Sequence, residues 1–142
     1  MNNTTLGNKT EKTASSIFRE KGYWVYNCPK SSSGSQPFDL IAIKGGWEYK
    51  VWFIDGKHVR KDEVSFTLNR IEPNQWASME YANQFAQIRS ETLGFVIQFE
   101  RTGEFYWLPY ETALDMKNNG VKSINLSKLQ LLEEVINENS DK

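Results

Sequence analysis

Asp39, Asp55 and Lys57 stand inside two apolar stretches, "PFDLIAIK" (37–44) and "KVWFIDGKH" (50–58), where a plain hairpin would carry hydrophobic side chains. Side chains along a strand alternate between faces, so Asp55 and Lys57, two residues apart, point the same way. With a connection over about 45–49, the pairing places Asp39 opposite Asp55 on the neighbouring strand. Two carboxylates against a sheet are costly unless positive charge lies between them. Two arrangements meet that need. Lys57 can neutralise one carboxylate, or a divalent cation can take oxygen from both.

The cation explains more residues. Mg²⁺ takes one or two carboxylates, accepts a backbone carbonyl and keeps several waters. Asp39 and Asp55 would be the carboxylate ligands, Gly56 could lend its carbonyl, and Glu11 would be a third acid. Lys57, beside such an ion, could favour deprotonation of water and stabilise charge developing on a phosphate.

Elements that would position these groups are legible from spacing. A helix is expected over about 9–21, opened by a capping box of Asn8 and Glu11 and stopped by Gly22. Its apolar stripe of Ala14, Ile17 and Phe18 puts Glu11 on the inward side. "YWVYNC" (23–28) reads as a strand, "PKSSSGSQP" (29–37) as a polar loop, and 38–44 and 50–58 as two strands joined around Gly45-Gly46. Near-continuous apolar character in that pair implies a sheet covered on both faces. Pro73 opens a second helix, and Trp76, Met79, Ala82, Phe85 and Ala86 recur at helical spacing as core residues. "GFVIQFERTGEFYWLP" reads as a hairpin turning at Arg101-Thr102-Gly103. Two short helical pieces, "YETALDMKNN" and "LSKLQLLEEVINEN", close the chain. The order α-β-β-β-α-β-β-α describes a mixed sheet with helices against it.

Composition bounds the rest. The 142 residues suit one domain, with 39% hydrophobic and 25% charged residues as in an ordinary globular protein. No apolar run approaches the roughly 20 residues that cross a bilayer, and "MNNTTLGNKTEKT" lacks the apolar core of a signal peptide. A single Cys28 forbids an internal disulfide and a thiolate metal site, and suits a cytoplasmic, reducing setting. Net charge is −1, yet residues 1–75 hold eleven Lys/Arg against eight Asp/Glu (+3) and residues 76–142 six against ten (−4). A cation among Glu11, Asp39 and Asp55 would make the first half an anion-binding face. His58, the single histidine, faces away from Lys57 by alternation.

"PFD" at 37–39 followed by "DGK" at 55–57 on the next strand resembles the PD-(D/E)xK nuclease signature. Glu11 on the preceding helix and Gln75 on the following one stand where that superfamily often carries an acid and a glutamine. "NKTEKTASSIFREKGYWV" is similar to the opening helix and strand of archaeal-type Holliday-junction resolvases, and "SFTLNRIEPNQ" (65–75) to a segment of RecU-type resolvases. "SSSGS" (31–35) looks like the Ser/Gly loop that archaeal-type resolvases place just before the first Asp. The resemblance covers about residues 7–109; the long stalk insertion of RecU-type proteins is absent, the second acid is Asp rather than Glu, and about 110–138 would be a helical extension. It implies a restriction-endonuclease-like α/β fold with an αβββαβ core, and a Mg²⁺-dependent endonuclease in which Mn²⁺ can substitute. Glu11, Asp39, Asp55, Lys57 and Gln75 would be catalytic. Ser31, Ser33, Ser35, Arg60 and Lys61 would contact DNA. It further implies a homodimer acting on four-way junctions. The small size and Asn/Lys-rich composition suggest a bacterial or phage-infected host. Other readings are a nuclease of linear, flapped or single-stranded DNA, or a silent DNA-binding module on the same fold.

Overall fold

The protein's structure is a computed structural model that describes residues 3–29, 37–46, 49–85 and 92–139, with side chains from Lys9 onward. Helix α1 (Asn3–Glu20) is followed by strands β1 (Trp24–Asn27), β2 (Leu40–Lys44) and β3 (Lys50–Val59). Next come β4 (Ser65–Thr67), a 3-10 turn at Leu68–Arg70, and α2 (Pro73–Asn83). The chain continues through β5 (Leu93–Phe99), β6 (Glu104–Pro109), α3 (Tyr110–Asn118), β7 (Ser123–Asn125), β8 (Gln130–Leu131) and α4 (Leu132–Glu138).

Six strands form one mixed sheet in the order β1-β2-β3-β5-β6-β8, and β4 pairs with β7 separately. All neighbours are antiparallel except β3 and β5, which run parallel across the crossover through β4 and α2. This is the expected αβββαβ core, a mixed sheet flanked by helices. Alternation along β3 divides its side chains between two apolar clusters. Trp52 and Ile54 join Ala14 and Phe18 of α1 with Leu132, Val135 and Ile136 of α4. Phe53 and Val59 face the other side, where Met79 and Ala82 of α2 and Ala113 and Met116 of α3 cover Phe95 and Ile97. Burial on both faces explains why β3 and β5 read as continuous apolar runs.

The first helix begins at Asn3, so Asn8 lies inside it and does not cap it. Extending an existing helix costs far less than nucleating one, and the expected capping box is overridden by that propagation. Gly22 does end the helix, at φ +89° in the left-handed region, with the Tyr23 N–H bonded to the Phe18 carbonyl at 3.0 Å.

Two further expectations change. The α2 stripe is only partly core: Met79 and Ala82 are buried, but Phe85 is 47% exposed and packs edge-on against exposed Tyr81. Phe85 falls just past the C-terminal end of α2, beyond the surface that the helix lays on the sheet. Ala86 lies outside the described residues. The segment after residue 110 is not simply helical, since β7 pairs with β4 and β8 extends the main sheet beside β6. Short strands such as these owe their pairing to distant partners, and two or three residues leave no periodic signal.

Candidate active site

The site lies where β2 stops and β3 continues. The ladder between them runs from Lys44↔Lys50 to Leu40↔Ile54, so the connection is short and Asp39 comes beside Asp55 and Gly56. The backbone of Asp39 is held from both sides: its N–H donates to Ile54 O at 3.0 Å, and its carbonyl accepts from the Cys28 N–H at 2.9 Å. Its Oδ2 accepts from the Gly56 N–H at 2.8 Å. Beyond this point β3 pairs only with β5, Asp55 beside Phe95 and Lys57 beside Ile97. The strands thus fork, and the fork carries the charged groups.

Asp39 and Asp55 are buried, at 7% and 3% exposure, a placement that only favourable electrostatics can sustain. Asp55 Oδ2 is a buried oxygen that accepts no hydrogen bond, while the residue acts electrostatically on Lys57. Lys57 projects toward α2. Its Nζ donates to Gln75 Oε1 at 2.7 Å and to the Arg70 carbonyl at 3.1 Å. Burial pushes the Lys57 ammonium below its ordinary pKa; Asp55, then Asp39, pull it back up, Arg70 lowers it and Glu72 raises it. Gln75 serves two ends with one oxygen. The same Oε1 accepts the Glu72 N–H at 2.9 Å, in a capping box that starts α2 behind Pro73.

Glu11 reaches the fork from the opposite face of the sheet. Gly56 makes that approach possible: a Cβ there would stand 3.3 Å from Glu11 Cγ and 3.7 Å from Asp39 Oδ2. Two polar contacts that the sequence did not flag hold α1 in place. Thr10 Oγ1 donates to Gln98 Oε1 on β5 at 2.7 Å, and Ser15 Oγ donates to Asn27 Oδ1 on β1 at 2.6 Å. Thr10 and Ser15 are fully buried, and a small polar residue on an otherwise apolar helix face is the signal that could have revealed them.

Arg60 and Lys61 are exposed on the bend after β3. Ser31, Ser33 and Ser35 lie outside the described residues. His58 sits on the α1 face, away from Lys57, with Nε2 3.8 Å from Glu100 Oε2. Burial lowers its pKa, Glu100 raises it, and Arg70 and Arg60 lower it further. Arg70, also unflagged in the sequence, donates through Nη1 to the His58 carbonyl and supplies the carbonyl that holds Lys57.

The oxygen donors at the fork (two buried carboxylates and the Gly56 peptide, with Glu11 adjoining) are chemically those of a hard-cation site. Mg²⁺ requires only one or two carboxylates and completes its shell with water. Among the described residues, no three Asp, Glu, His or Cys side chains gather as a ready-made metal cluster. Asp39 Oδ2 is oriented at the fork by the Gly56 N–H.

No family model matches the sequence, and no curated protein does. The fold, however, is shared with two solved structures. Hjc from Archaeoglobus fulgidus, a Holliday junction resolvase from an archaeal hyperthermophile, superposes with a TM-score of 0.58 at 16% identity, over 92% of this chain and 98% of that one. A nuclease from a fusselovirus superposes with a TM-score of 0.52 at 14% identity, over 94% of this chain and 88% of that one.

Proposed function

We propose that the protein is a divalent-cation-dependent, structure-selective DNA endonuclease, and specifically a Holliday-junction resolvase acting as a homodimer. The observation that carries this reading is the convergence at one strand fork of Asp39, Asp55 and Lys57, with Lys57 Nζ set by Gln75 Oε1. The fold shared with a junction resolvase and a viral nuclease supports it.

Asp39 and Asp55 would hold Mg²⁺, or Mn²⁺ in its place, with the Gly56 carbonyl and Glu11 alongside. When bound, the ion supplies Lewis-acid polarisation of the phosphate and acidifies water. The chain's own residues do the rest. Lys57 Nζ, fixed by Gln75 Oε1 and the Arg70 carbonyl, would face a phosphate oxygen as charge accumulates there. Gln75 and the Arg70 carbonyl fix where that charge stands, so little reorganisation is needed during reaction. Water attacks phosphorus in line with the departing sugar oxygen, and one P–O bond forms as the other breaks. Arg60 and Lys61, with Ser31, Ser33 and Ser35, would meet backbone phosphates. A dimer would bring two such forks to a junction for paired cuts, in the cytoplasm of a bacterial or phage-infected cell.

The test is cleavage of a labelled four-way junction with and without Mg²⁺. Asp55→Asn and Lys57→Ala should each abolish cutting while junction binding persists. Unchanged cutting by either variant would remove these residues from the site. Symmetric paired nicks beside the branch mark a resolvase, cutting confined to linear, flapped or single-stranded DNA marks a different nuclease, and binding without cutting under any metal marks a silent module.

A further inference from the structure

A cavity of about 830 Å³ opens on the α2–α3 side of the molecule. One wall is the segment from Leu68 to Trp76, and the other is the turn after α3, with Val121 and Lys122. The Leu68 N–H donates to the Lys122 carbonyl at 2.9 Å, tying the two walls together at the base. Apolar side chains and the Trp76 indole form the interior, and Lys117 and Lys122 supply positive charge. Lys117 Nζ lies over the Trp76 ring, 4.5 Å from its centroid, and Phe95 and Tyr110 pack against the same indole. An aromatic ring, apolar walls and two ammonium groups are complementary to a flat, partly apolar ligand that carries negative charge.

The same segment meets the catalytic fork on its other side. Arg70 O and Gln75 Oε1 hold Lys57 Nζ, while Leu68, Ile71, Pro73 and Trp76 face the cavity. Arg70 and Gln75, which hold Lys57, thus directly adjoin in the chain Ile71 and Trp76, which line the cavity. The geometry points to a nucleotide pocket: one nucleotide of the DNA substrate, unstacked next to the cleaved phosphate, places its base against the apolar wall of Leu68, Ile71, Pro73 and Val121, beside the Lys117-covered Trp76, and its phosphate against Lys117 and Lys122. This rests on the nuclease reading and adds a base-binding subsite to it. Unstacking is cheapest where pairing is already interrupted, so the pocket favours DNA at a branch over a continuous duplex.

The test uses full-length Asp55→Asn protein and four-way junctions that carry a single 5-iododeoxyuridine at successive positions around the branch. Irradiation should crosslink the helix peptide containing Trp76 from a position at the branch, and not from positions out in the arms. Val121→Trp, which fills the cavity from an exposed position, and the exposed Lys117→Glu should both erase that crosslink. Each should also weaken junction binding roughly tenfold, the scale of one stacked base, with unchanged melting temperature. Crosslinks confined to other surfaces, or wild-type binding by folded Val121→Trp and Lys117→Glu proteins, would overturn the pocket. The two readings fail separately. Normal cutting and binding by Val121→Trp removes the pocket alone, whereas a Trp76 crosslink in a protein whose wild type cuts no DNA removes the nuclease reading and leaves a DNA-binding subsite.

Discussion

At the scale of single residues, Gly56 decides as much as the charged groups around it. It alternates with Asp55 and Lys57, gives its N–H to Asp39 Oδ2, and leaves room for Glu11 to approach through the sheet. An alanine at this position would crowd Glu11 Cγ at 3.3 Å, closer than an ordinary contact, yet against a flexible side chain that can turn aside. Gly56→Ala should therefore fold with little change in thermal melting, while junction cleavage falls roughly tenfold to a hundredfold, as small misplacements in a reacting site do. Cleavage at the wild-type rate would show that Glu11 is not needed at the fork. That Asp55 and Lys57 share a face and that Glu11 points inward were legible in the sequence, because strand alternation and helix spacing fix which way a side chain points, whereas Gln75 entered only through the family resemblance. Thr10, Ser15 and Arg70 were not legible, because their partners lie on elements far away in the chain.

At the scale of elements, the site depends on a close passage behind β3. Gly94 on β5 stands opposite Pro109, and an added Cβ would come within 2.4 Å of the Leu108 carbonyl and 2.9 Å of Pro109 Cα and Tyr110 N. These are backbone atoms at the junction of β6 and α3, and they cannot swing away as a side chain can. Gly94→Ala should thus destabilise the protein by about 3 kcal/mol or more, at the upper end of overpacking costs, seen as a lower midpoint in urea. A midpoint within error of wild type would mean that α3 can shift without penalty. Strands β2 and β3, the β5–β6 hairpin and helices α1 to α3 were each readable from periodicity and turn residues. The outer end of α2 was not. Its apolar spacing continues to Phe85, but the helix contacts the sheet only as far as Ala82, and spacing alone does not say where a neighbour ends.

At the scale of the whole molecule, the segment after Gly120 closes the fold. Helix α4 lays Leu132, Val135 and Ile136 on the same cluster as α1 and covers Trp107 and Phe105 on β6, while β7 caps β4. A chain ending after Gly120 would expose that cluster. It should lose cooperative thermal unfolding and bind a hydrophobic dye, as an uncovered apolar face does. A sharp melting transition in the shortened chain would show instead that residues 7–109 form a self-sufficient core.

The sequence by itself determined the local rules: which residues alternate on β3, where α2 begins, and that Asp55 and Lys57 share one face. Those features depend on neighbours two to four residues apart, and backbone geometry imposes them wherever the chain lies. Only the tertiary structure decided that β2 stops where β3 goes on, that Glu11 arrives through the gap at Gly56, and that one segment holds Lys57 on one side and lines a cavity on the other. Each of these is a meeting between residues far apart in the chain. Such meetings are set by the packing of whole faces, which no short window of sequence contains.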